Sequence, residues 1–73
     1  MTYETVRDAA KELALNAIAI EKRDENPVAA KVAVESIRIH EQSALAVRAH
    51  EVQHSSVAAV WCNQLQGLDL ILM

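Results

Sequence analysis

The sequence predicts an all-α fold: an antiparallel helical hairpin with a long second helix, two copies of which intertwine as a homodimer forming a four-helix-type bundle. Three observations carry this. Punctuation is sparse, with one Pro and one Gly in 73 residues, which suits long helices and not a strand-rich fold. Apolar residues recur at steps of three and four. The only break signal before Gly67, Asp24-Glu25-Asn26-Pro27, falls well before the middle of the chain and leaves arms of unequal length.

In the first segment Tyr3, Val6, Ala10, Leu13, Ala17 and Ile20 make an a/d seam, so helix one is expected over about residues 2–23. Leu15, Ile18 and Ala19 add an apolar strip beside that seam, and one antiparallel partner would not cover both. The residue before a proline is pushed toward extended backbone, which places the turn at 24–26. Asn26 caps the next helix. Pro27 then occupies its first position, where a missing N–H costs nothing.

Beyond Val28 neither Gly nor Pro appears until Gly67. Helix two is therefore expected as one element over about residues 27–66, roughly 60 Å long at 1.5 Å per residue. A short strand competes only in the β-branched run Val32 to Ile39, and its Ala-rich flanks decide for helix. Gly67 would cap the helix, leaving residues 67–73 as an apolar tail packed on a helix. The chain is one domain, 1–73.

A hairpin folded at residue 25 or 26 leaves everything past about His50 without a neighbour. Burying a side chain such as Val57, Val60, Trp61 or Leu65 stabilises by roughly 1.5–3 kcal/mol, so these do not stay in water. Either the chain breaks near Ser55-Ser56 and a third helix folds back, or a second copy supplies the surface. No acidic residue follows the serines at the third position to complete a capping box, which favours the second copy. Val57, Val60, Trp61 and Leu65 are then the expected dimer interface. Size argues the same way, because a chain this short buries only about 60% of its unfolded surface alone.

Composition removes several functions. Seven Lys and Arg are interspersed with ten Asp and Glu for a net charge of −3, which gives no basic face for nucleic acid. Cys62 is the only cysteine, so no intrachain disulfide forms and a reducing, cytoplasmic setting is expected. The opening residues lack the basic and apolar regions of a secretory signal. The uncharged run Val52 to Leu68 is broken by Gln, His, Ser and Asn, so no membrane span is expected. With one glycine, near the end, there is no Gly-rich phosphate loop.

One motif invites chemistry. His50-Glu51-Val52-Gln53-His54 spells H-E-x-x-H, and over these five residues the chain resembles zinc peptidases. On one continuous helix His50 and His54 stand a turn apart and reach one metal, with Glu51 placed to activate a bound water. Those enzymes add a third ligand downstream and a substrate cleft. Cys62 lies about 12 Å farther along such a helix and His40 is too distant on the other side, so neither completes the set. Glu51 to His54 is also an E-x-x-H step of the kind found in dimetal four-helix bundles, where His50, Glu51 and His54 would be the ligands. The plainer reading makes His40 and His54 polar residues at a packing seam, bonded to Glu51, Ser43 or backbone across the dimer. Ser36 and Ser43 likewise read as small residues for close helix approach, not nucleophiles.

The expected function is a non-enzymatic helical protein–protein interaction module, an adaptor, inhibitor or anti-activator of the sort phages and mobile elements carry. Its partners are itself and an unidentified protein, with no cofactor, catalytic residue, nucleic acid or membrane. The partner surface is expected near Leu15 and Ile18, bordered by Arg23 and Glu12. A metal-binding bundle is the first alternative and a DNA-binding regulator the second.

Overall fold

A computed structural model describes residues 2–50 and 56–72 of the chain. They form three helices and, among the described residues, no strand: α1 (Tyr3–Asp24), α2 (Pro27–Arg48) and α3 (Ser56–Leu72). The all-α expectation holds.

α1 begins where Thr2, in extended backbone, accepts a hydrogen bond at Oγ1 from the Thr5 N–H at 3.2 Å. Glu4 in its first turn and Lys22 and Arg23 in its last complement the helix dipole. The helix ends at Glu25, which adopts the left-handed conformation with φ 49° and ψ 43°. Asn26 caps α2 as expected. Its Oδ1 accepts from Val28 N at 2.9 Å and Ala29 N at 3.4 Å, with Pro27 opening the helix.

α1 and α2 share the most extensive interface, and α3 lies against both. The α1 side of the core holds Tyr3, Val6, Ala10, Leu13, Ala14 and Ala17, and the α2 side Ala29, Val32, Ala33, Ser36, Ile39 and Ser43. Most of these are small, which lets the two backbones approach closely. The buried serine hydroxyls are satisfied inside their own helix: Ser36 Oγ donates to the Val32 carbonyl and Ser43 Oγ to that of Ile39, both at 2.7 Å. His40 Nδ1 reaches across to the Arg7 carbonyl at 3.1 Å. A carbonyl only accepts, so Nδ1 carries the proton.

Three expectations are corrected. Helix two does not run to residue 66. It stops at Arg48, where Ala49 N bonds back to the Leu45 carbonyl, His50 N to that of Val47, and His50 turns to φ 56°. The long crossing helices of an intertwined pair are therefore absent. The apolar overhang is met by a third helix instead, which buries Ala58 and Leu65 against α1 and α2. Gly67 caps nothing, and residues 67–72 are not a tail. The helix passes through Gly67 and ends at Leu72, with Leu68 and Leu72 packed on the core. The inner face of α2 is carried by Ala29, Val32, Ala33, Ser36, Ile39 and Ser43, and Ile37 is exposed.

Candidate functional site

The H-E-x-x-H reading needs His50 and His54 on one helix. His50 lies beyond the cap of α2, exposed, with positive φ, so it is not part of α2. Glu51 and His54 lie outside the described residues. Among the described residues no group of three or more His, Cys, Asp or Glu is placed to hold a metal ion. His40 is engaged with the Arg7 backbone of α1 within the single chain, not across a dimer.

The expected dimer residues divide between two surfaces. Leu65 is 5% exposed within the single chain, and Trp61 is half-buried with its ring 5.6 Å from that of Tyr3. The chain's own fold uses both. Val57 and Val60 remain on the outer side of α3, exposed.

The expected partner residues divide as well. Leu15 is 58% exposed and Ile18 is half-buried at the edge of the core. Glu12 belongs to another flank, where with Thr5, Asn16, Gln66 and Asp69 it lines a groove of about 400 Å³ between α1 and α3. Arg23 sits at the end of α1, its guanidinium donating to both carboxylate oxygens of Asp24. Those hydrogen bonds hold the Asp24 carboxyl below the usual carboxylate range and raise Arg23 further. Both side chains are solvent-exposed, so the pair adds little to stability.

What sequence reasoning missed is on α2. Val34 is 65% exposed, and Ile37 and Leu45 also face solvent. Helix phase places Val34 and Ile37 beside Leu15 and Ile18. At 3.6 residues per turn Ile18 points roughly 180° from Ala9, which lines the α3 groove. On α2, Val34 and Ile37 turn at least roughly 100° from Glu35 and Ile39, the residues that border α3. Both pairs thus lie on the side of the hairpin turned away from α3. Lys11, Lys22, Arg38 and Glu41 supply charge around it.

No family model, curated protein or solved structure matches the chain. No helix among the described residues is long and apolar enough to cross a membrane.

Proposed function

We propose that the chain is a small non-enzymatic interaction module that works by laying the α1–α2 face of its bundle against another protein. The observation that carries this is the exposure of Leu15 and Val34 on one side of the hairpin, flanked by Ile18 and Ile37. Fully covering side chains of this type stabilises by roughly 1.5–3 kcal/mol each, so a partner surface that covers them gains affinity directly. An apolar patch rimmed by charge is the usual anatomy of such a contact. The buried hydroxyls of Ser36 and Ser43 are bonded to backbone carbonyls, consistent with structural roles. An adaptor or inhibitor needs no more than this surface.

The test uses a Leu15→Glu, Val34→Glu double variant. Both positions are exposed, so the helices should form as before. Affinity capture from cells that make the protein should return a partner with the native chain and lose it with the variant. The same partners recovered at equal yield with both would reject this face.

A further inference from the structure

A second exposed surface, independent of the first, runs along the flank of α3 next to α2, where Gln64, Gly67 and Ile71 line an open groove with Glu35 and Ile39. Val57, Val60, Gln64, Gly67 and Ile71 follow one another at steps of three, four, three and four, the spacing of a helix–helix seam. Val60 and Ile71 are 52% and 58% exposed, and a Cβ built on Gly67 would meet nothing within 4 Å. We infer that this seam is a homodimer contact, in which α3 of one copy packs antiparallel on α3 of the other about a two-fold axis near Gln64.

The argument for a second copy, and against an unrelated partner, is that the seam matches itself. An isologous contact must be complementary to its own image under a two-fold rotation. Reversing the helix about Gln64 brings Val57 opposite Ile71 and Val60 opposite Gly67, a branched side chain facing a position that has none. Gln64 meets its own copy. An amide both donates and accepts, so two of them satisfy one another, and one polar residue in an apolar seam fixes register.

Charge is sparse at the seam. Asp69 is the only acidic or basic residue of α3, and it lies on the opposite flank, lining the groove against α1. Glu35 of α2 borders Gln64, Gly67 and Ile71, so each copy brings one carboxylate to the edge of an otherwise uncharged contact. A seam from one short helix is smaller than the roughly 800 Å² per partner of a standard interface, so micromolar association is expected, not nanomolar.

Sedimentation equilibrium from about 1 µM to 1 mM, spanning the range in which standard affinities of this order resolve, tests this on the full chain. The average mass should rise from 8.0 kDa toward twice that value. A Val60→Glu variant, exposed and so expected to keep its helical circular dichroism, should weaken association at least tenfold. Orientation is read in a Cys62→Ser background by mixing Val57→Cys and Ile71→Cys chains under mild oxidation. Cross-links between the two different variants support the antiparallel seam, and cross-links only between like chains reject it. A mass fixed at 8.0 kDa throughout, or unchanged association in Val60→Glu, overturns the proposal. The Leu15→Glu, Val34→Glu variant should self-associate like the native chain, which separates this seam from the α1–α2 face.

Discussion

Trp61 of α3 packs against Tyr3 of α1 with ring centroids 5.6 Å apart and planes inclined at 56°. They are the only aromatic residues in the chain, and they join the early part of α3 to the first turn of α1. Offset, tilted ring pairs of this kind add about 0.5–1.5 kcal/mol beyond the area they bury. This contact gives the third helix a defined height against the hairpin.

Replacing Trp61 by Ala should therefore cost the fold itself. Fully buried Trp→Ala changes cost about 3–5 kcal/mol, and a half-buried ring should cost about 2–3. Urea unfolding followed by circular dichroism measures it, with Trp61→Phe expected to recover much of the loss. A Trp61→Ala midpoint equal to the native one would mean that α3 is not held at this point.

The turn between α1 and α2 makes two opposite predictions one residue apart. Glu25 is held at φ 49°, where a side chain costs roughly 1–2 kcal/mol that glycine does not. Glycine returns roughly 0.5–1 kcal/mol of that through its freedom in the unfolded chain. Glu25→Gly should thus gain about 0.5 kcal/mol, or roughly 2–4 °C in thermal midpoint for a domain of this size. Asn26→Ala removes the acceptor for Val28 and Ala29 N–H and should lose about 1 kcal/mol. Thermal melts that moved both variants the same way would contradict this account of the turn.

That turn was legible because each of its residues carries its own signal: Pro27 cannot extend a helix backward, and Asn26 caps one. The seam of α1 was legible too, since Tyr3, Val6, Leu13 and Ala17 are all buried. α2 was harder. Its inner face is built on Ala29, Ala33, Ser36 and Ser43, small residues with weak apolar signal, while Val34, Ile37 and Leu45 carry strong signal and face outward. Hydrophobic periodicity alone then picks the wrong phase. The end of α2 was hidden for a related reason: His50 occupies the left-handed region where glycine is the usual marker, and His is among the few other residues enriched there. Without that break, the overhang demanded a second chain when a third helix met the need.

Gly67 offers a stability gain with a side effect. It lies inside α3 with open space around it, so Gly67→Ala should stabilise the isolated chain by up to about 1 kcal/mol through helix propensity. At millimolar concentration part of that gain should be offset, because the new methyl group stands where Val60 of a second copy packs. Melts at low and high protein concentration separate the two effects. A gain that is the same at both concentrations would count against close approach at this position.

The last prediction concerns zinc at His50-Glu51-Val52-Gln53-His54. Two imidazoles reach one ion from a single helix only when they stand one turn apart on it, and even then a tetrahedral site needs further protein ligands. In the structure α2 has ended at Arg48, and His50 follows the cap with φ 56°. Forming the motif's geometry would mean taking His50 out of its left-handed conformation and into a helix, which strains the turn bond from His50 N to the Val47 carbonyl. His40 adds no nearby ligand, since it stands roughly 12 Å back along α2 from the end of that helix at Arg48. Protein purified without added metal should therefore carry no stoichiometric zinc by elemental analysis, and zinc titration should show no heat of a one-to-one complex at micromolar concentration. His50→Ala and His54→Ala should leave both results unchanged. One zinc per chain that disappears in either variant would restore the metal-bundle reading and require a helix through residues 50–54 in the loaded protein.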